Sequence, residues 1–399
     1  MKILFVHERF GALAGAEANA QITATELGLR GHCLGILHGP TTEKNEATWN
    51  TTFPHRFPLH CNHNAAVARE AVRDFQPDVI YVHKMADLEV IETLVESGVP
   101  VVRMVHDHDI YCMRSYKYDY FSREICTRGV GPHCVFSCLA SVARNRDGGF
   151  PLKWVSYSDK KREVALNRRF NRMVVVTTYM RDELLNNGFD PERIEIHAPV
   201  PRMGDPDLRS SFSDRNLIMY AGQIIRGKGV DVLLESLALL DVKFECVILG
   251  DGNHREYCEA LSKKLGLADR VTFKGFVPQE ELKTYYRECS VVALSSLWPE
   301  PIATIGLEVM RYALPVVAFD AGGIKDWLRD GHNGFLVPWM DRQKYAAQLK
   351  RLLVNKPLAR QLGEKGLQLV SERYDFNGYI RDLETMFGSV IAEHQAVRN

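Results

Sequence analysis

The stretch Trp298-Pro-Glu-Pro-Ile-Ala-Thr-Ile-Gly-Leu-Glu308 carries the side chains best suited to chemistry. Glu300 lies in a Pro-flanked loop after an apolar run, and Glu308 lies in the helix expected to follow. One carboxylate at a helix entrance and another about two turns inside can face the same side. The backbone N–H groups of Ile302, Ala303, Thr304 and Ile305 have no intrahelical acceptor and sit at the positive end of the helix dipole, a natural seat for a diphosphate. The duller alternative is a dipole-favoured Glu followed by a surface Glu. A second stretch, Tyr220-Ala-Gly222-Gln-Ile-Ile-Arg226-Gly-Lys228-Gly229, is a glycine loop after a strand pattern. It can bring two cations onto phosphate oxygens, although the Gly-Lys-[Ser/Thr] of a P-loop is missing. Gly322-Gly323 ahead of Asp326 gives either close backbone approach or a tight turn.

The elements that must position these residues alternate regularly. Lys2–Val6 is an apolar run, followed by the loop Gly11 to Gly15 and a helix pattern from Ala16 to Leu29 closed by Gly31. Further short Val/Ile-rich runs fall at His32–Leu37, Asp78–Val82, Val101–Val105 and Met173–Thr177. After a Pro-rich stretch the rhythm restarts with Leu217–Tyr220, Phe244–Leu249, Val271–Phe273, Val291–Leu294 and Pro315–Phe319, with helix patterns at 229–240 and 254–265. Unalternating apolar runs separated by helices predict parallel strands buried on both faces. The 399 residues exceed one ordinary domain. The expected organisation is an N-terminal Rossmann-like domain over 1–200, a linker over 201–214, a second such domain over 215–375, and a C-terminal helix over 376–399 that crosses back to the first. Composition is ordinary, with 46% hydrophobic residues and Lys+Arg and Asp+Glu both at 50, which excludes a disordered chain and a global field for nucleic acid.

Taken in order, these motifs resemble retaining GT-B glycosyltransferases of family 4, the group-1 glycosyl transferases. The resemblance runs through Gly222…Lys228-Gly229, Leu249-Gly-Asp-Gly252, Val271-Thr-Phe-Lys-Gly-Phe-Val-Pro278, Glu300 and Glu308, Pro315-Val-Val, and Gly322-Gly323…Gly331-His-Asn-Gly334-Phe-Leu-Val-Pro338. In the first half it is looser, resting on Ala14-Gly15-Ala16-Glu17 and Val105-His106-Asp107. It implies a GT-B fold of two doubly wound domains facing a cleft, a nucleotide-sugar donor held mainly by the second domain, and no further cofactor. Glu308 would bind the ribose hydroxyls, and Lys228 with the Ile302–Ile305 backbone would hold the diphosphate. Glu300 would contact the transferred sugar, Gly15 would let backbone approach the phosphates, and His106 would face the sugar and acceptor. The Phe276–Pro278 backbone would lie near the base. The sequence departs from the pattern at Gln223, where an Arg is usual and Arg226 is the available substitute. It departs again at Ile302-Ala303 for Phe-Gly, at Ala14 for Gly and at Asp326 for Glu.

Other features have competing readings. Cys112, Cys126, Cys134 and Cys138 could bind structural zinc, though the Cys-x2-Cys knuckle is absent, and thiols without a metal are the alternative. His55, His60, Cys61 and His63 read as surface. Residues 153–172 carry a local surplus of five positive charges, which is either a solvated helix face or a patch for anionic membrane. No run is long enough to span a bilayer, the N-terminus lacks an export-signal core, and nine cysteines suit a reducing compartment, so a cytoplasmic location is expected, with peripheral contact at the inner membrane face. A Rossmann oxidoreductase is disfavoured because Gly11-Ala-Leu-Ala-Gly15 lacks the dinucleotide spacing. An epimerase or hydrolase of the same fold and a catalytically silent nucleotide-sugar-binding partner remain as alternatives.

Overall fold

In the computed structural model, residues 1–11, 15–60, 63–144, 150–198 and 208–398 are described. Ala14, Cys61 and residues 201–207 of the expected linker lie outside them. The chain divides into two compact units. The first comprises Met1–Tyr116, Thr127–Pro199 and Asn377–Asn399; the second comprises Lys117–Cys126 and Val200–Phe376.

The first unit is built on a parallel sheet of β1 (Lys2–His7), β2 (Cys33–His38), β3 (His55–Pro58), β4 (Val79–Lys84), β5 (Val101–Val105), β8 (Arg172–Val175) and β9 (Ile194–Ile196), in the order β3-β2-β1-β4-β5-β8-β9. A separate antiparallel pair, β6 (Val142–Arg144) and β7 (Leu152–Trp154), stands apart from it. The second unit carries β10 (Leu217–Ala221), β11 (Glu245–Leu249), β12 (Val271–Gly275), β13 (Cys289–Leu294), β14 (Val316–Phe319) and β15 (Gly334–Val337), ordered β12-β11-β10-β13-β14-β15 and parallel throughout. The central strands are buried on both faces, as their Val/Ile content requires. Each strand expected from sequence coincides with an observed one to within two residues.

Both sheets reverse winding direction at one point, between β1 and β4 in the first and between β10 and β13 in the second. In such sheets the crevice at the carboxyl ends of the reversing strands is the ligand site. β10 leads into the loop that holds Lys228, and β13 leads into the loop that holds Glu300. β1 ends on His7, and β4 passes through His83.

Several expectations need correction. Residues 117–126 belong to the second unit, not to the first half. Arg123 grips Asp231 through both terminal nitrogens, at 2.8 and 3.0 Å, and the Arg226 carbonyl at 3.0 Å. Tyr118 is buried in the second unit's core. Residues 208–214 do not behave as a linker: Leu208 and Phe212 are buried, the Ser211 amide donates to the Arg287 carbonyl at 2.8 Å, and the Ser213 hydroxyl donates to that of Glu288. His55, His60 and His63 are exposed as expected, although His55 opens an edge strand of the sheet and does not sit in a loop. The charge surplus of 153–172 is largely answered in space. Arg162 meets Glu92, and Arg172 meets Glu195 and Glu393, so three acids from outside the segment offset three of the five surplus charges. Lys160 is turned onto Glu163 and the Asp109 carbonyl, both at 2.5 Å. The case for docking this segment on anionic lipid is correspondingly weaker.

Candidate active site

In the second unit the two loops at the winding reversal are knitted together. The Gly227 carbonyl accepts from the amides of Leu297 (2.8 Å) and Trp298 (3.0 Å), and the Ser295 hydroxyl donates to the Lys228 carbonyl at 2.9 Å. Glycine is required at position 229 and eases the packing at 227. A Cβ on Gly229, whose φ is +64°, would fall 2.1 Å from the Ser295 carbonyl oxygen, and one on Gly227 would press on the Trp298 ring. The Lys228 ammonium is thereby held over the Trp298 ring, 5.0 Å from its centroid, and 2.6 Å from Glu300 Oε1.

That same oxygen accepts from the Trp298 indole N–H at 3.0 Å and from the Ser296 hydroxyl. Glu300 is only 5% exposed. Burial alone would favour its neutral form, but the Lys228 ammonium, Ser296 and Trp298 outweigh it and hold the carboxyl below its ordinary value. The Lys228, Ser296 and Trp298 donors thus all gather on the one oxygen, Oε1. The backbone of Glu300 is clamped as well: its amide donates to the Ala321 carbonyl at 3.1 Å, and its own carbonyl accepts from Gly323 at 2.7 Å. Gly322-Gly323 therefore serves close backbone approach.

The helix Thr304–Met310 begins immediately beyond this loop. Trp327, fully buried, packs where a Cβ on Gly306 would stand and donates its indole N–H to the Ile302 carbonyl at 2.6 Å, which fixes the helix entrance. Ala303 takes the left-handed conformation there, φ 57° and ψ 65°, an unfavourable choice for a residue with a Cβ. Replacing it by glycine is expected to raise stability by about 0.5–1 kcal/mol, after the greater entropy of glycine in the unfolded chain is subtracted. A melting temperature at or below that of the parent protein would contradict this. Glu308 lies one turn inside the helix, where the buried Tyr286 hydroxyl donates to Oε1 at 3.0 Å. Burial and that carboxylate push the tyrosine well above its ordinary range, so it stays a donor at every working pH.

Of the expected residues in this unit, Lys228 and Glu300 are in direct contact, and Ile302 to Ile305 and Glu308 continue from the same loop. Gln223 is exposed in the loop after β10. The Arg226 guanidinium stacks on the Tyr120 ring at 4.8 Å, so it packs on the 117–126 segment. Sequence reasoning missed Ser296, Trp298, Trp327 and Tyr286. The first two stand within four residues of Glu300 and could have been noticed there; Trp327 and Tyr286 reach the site only through the fold.

In the first unit, Gly15 opens the helix Gly15–Leu29 with φ 67°. His106 follows β5, half-buried, with Nε2 2.9 Å from Nδ1 of His83. His7, His38, His83 and His106 stand at the carboxyl ends of the four neighbouring strands β1, β2, β4 and β5. Burial, reinforced by nearby positive groups, pushes His106 down to about 3 and His7 to about 4, so both rings are neutral at physiological pH. Beside them Lys84 binds Asp109 at 2.7 Å and Asp107 at 3.1 Å. Among the described residues, which include Cys112, Cys126, Cys134 and Cys138, no three His, Cys, Asp or Glu side chains are placed to hold a metal ion.

Comparison with known proteins agrees with this fold. Residues 15–199 match the family model described as Glycosyltransferase Family 4, and residues 208–369 match that of Glycosyl transferases group 1. An alpha-D-kanosaminyltransferase of Streptomyces kanamyceticus is 32% identical over 174 residues, covering 42% of this chain and 44% of that protein. A D-inositol 3-phosphate glycosyltransferase of Streptomyces bingchenggensis is 30% identical over 230 residues, covering 52% and 50%. The chain spans about half the length of these curated relatives. In fold it is similar to Anabaena HepE crystallised with UDP, at a TM-score of 0.72 and 19% identity over 98% of this chain and all of that one. With two Rossmann-like units, each matched by its own model, the chain belongs to the GT-B glycosyltransferases of the family 4 type.

Proposed function

We propose that the protein is a retaining glycosyltransferase that moves a hexose or N-acetylhexosamine from a nucleotide diphosphate sugar to a glycan or lipid-linked acceptor in cell-surface polysaccharide or glycoconjugate synthesis. The observation that carries this reading is the Lys228–Glu300 pair, set between the two loops at the winding reversal and followed directly by the amides of Ile302 to Ile305.

In the reaction the bond between the anomeric carbon and the phosphate oxygen breaks, and a bond from that carbon to an acceptor oxygen forms on the same face. The proton of the acceptor hydroxyl passes to the departing phosphate. Negative charge builds on the diphosphate, and Lys228 with the 302–305 amides is oriented for it before reaction. Glu300 Oε2 accepts from a hydroxyl of the transferred sugar, which fixes the sugar's orientation. Glu308 accepts from the ribose hydroxyls, with Tyr286 holding its other oxygen. His106 serves the sugar or the acceptor. The chain's own groups meet the diphosphate, with the nucleotide sugar as co-substrate and no resident cofactor.

HepE binds UDP, which makes UDP the first nucleotide to test. A thermal-shift screen of UDP, GDP, ADP and their sugars reads binding, because a ligand at 100 times its Kd stabilises by about 2.7 kcal/mol. Product analysis then reads the reaction. The expected product carries the sugar in its original anomeric configuration on an acceptor. Epimerised donor or free sugar, formed without acceptor, would instead establish the epimerase or hydrolase alternative.

A further inference from the structure

His83 lies on β4, 2% exposed, its ring stacked on Phe5 at 5.5 Å and edge-on to Tyr81 at 4.4 Å. Its Nδ1 meets His106 Nε2 at 2.9 Å, and among the described residues its Nε2 has no hydrogen-bond partner. The two rings are 24° from parallel. Two arrangements are open to this neutral pair. If His106 donated from Nε2, the proton of His83 would sit on its own Nε2, a buried N–H without an acceptor among the described residues. If His83 donates from Nδ1, the atom left without a partner is only a lone pair. Orphaned buried N–H groups are rarer than under-satisfied acceptors.

We infer that His83 is a positioning residue: its Nδ1–H donates to His106 Nε2 and so fixes His106 in the Nδ1–H form, a hydrogen-bond donor toward a ligand oxygen at the carboxyl edge of the first unit's sheet. The ligand role of His106 rests on the proposed function; the tautomer does not. An isolated imidazole favours the other neutral form, so the protein must impose this one. It follows that His106 donates to an oxygen of the sugar or acceptor and does not take the proton of the attacking hydroxyl.

The test is a two-bond proton–nitrogen correlation spectrum of the ligand-free, nitrogen-15-labelled protein, with His106 assigned from a His106→Gln sample. The wild type is expected to show His106 protonated on Nδ1 only. His83→Phe keeps the stack on Phe5 but removes the donor, and His106 should shift to the Nε2–H form while kcat/KM for sugar transfer falls roughly tenfold, the effect of one misdirected hydrogen bond. His83→Asn puts an amide N–H near the place of Nδ1 and should keep the wild-type spectrum with activity within about twofold. A packing role alone would spare the tautomer in His83→Phe and would not be rescued by asparagine. A wild-type His106 protonated on Nε2, or a His83→Phe spectrum unchanged from wild type, overturns the inference. Absence of sugar transfer by the wild type, by contrast, overturns the proposed function while the spectra still decide the tautomer.

Discussion

Replacing Lys228 by methionine is expected to cut turnover by about 100- to 1000-fold, the usual effect of losing one preorganised group at a developing charge. The variant should also be less stable, toward the lower end of about 3–5 kcal/mol, because Glu300 would be left buried without its cation while Lys228 itself keeps some solvent. The pH dependence has a definite sign. In the wild type the Glu300 carboxyl is held below its unfolded value, so its contribution to stability is present above about pH 4.3 and is lost as pH falls through the folded value. Without the ammonium, burial dominates and the folded value moves above the unfolded one. The contribution is then present at acid pH and is lost as pH rises. Urea unfolding at pH 5 and pH 8 reads the difference: the variant should lose stability between them and the wild type should not. Adding Glu300→Gln to the variant should restore stability without restoring transfer. Wild-type turnover in Lys228→Met would remove this site from the reaction.

Gly322→Ala should be strongly damaging for so small a change. Gly322 has φ +71°, and a Cβ there would lie 2.6 Å from the Glu300 carbonyl oxygen and 2.7 Å from its nitrogen. The backbone that presents Glu300 must then move. A loss of about 2–4 kcal/mol is expected from strain and overlap combined, with a fall in turnover of about 100-fold or more. Gly331→Ala is the matched control, because Gly331 has φ +68° and nothing lies within 4 Å of its Cβ position. It should cost only the backbone term, about 1–2 kcal/mol, and leave turnover intact. Equal effects on turnover would show that clamping Glu300 is not what Gly322 does.

The sequence was most legible where local pattern and tertiary demand coincide. Val101–Val105 reads Val-Val-Arg-Met-Val, apolar at four of five positions and buried at every one, so its boundaries could be read directly. β9 (Ile194–Ile196) and β3 (His55–Pro58) were missed because one is three residues long and the other is an exposed edge with a proline, and neither carries enough apolar residues to announce itself. Within the site, Glu300, Glu308 and Lys228 stood out because their motifs occur together and in order, each stretch alone having a duller reading. The direct contact between Lys228 and Glu300 was not legible, because it joins loops 72 positions apart. The acidic partners of the basic stretch 153–172 were illegible for the same reason: Glu92, Glu195 and Glu393 are remote in sequence, and local composition does not count them. Residues 117–126 were placed with the wrong half because what holds them, Arg123 on Asp231, spans more than 100 positions.

The first unit takes its final piece from Asn377 onward, where Phe387 meets Tyr81 edge to face at 5.1 Å and Glu384 binds Arg30 and His32. During synthesis the residues that make up the second unit leave the ribosome before that piece does. The unit begun first is therefore the one finished last, and its newly made sheet must wait, incompletely covered, through more than 170 intervening residues. Nascent chains stalled short of residue 377 should accordingly be more sensitive to protease in their first 200 residues than in the second unit.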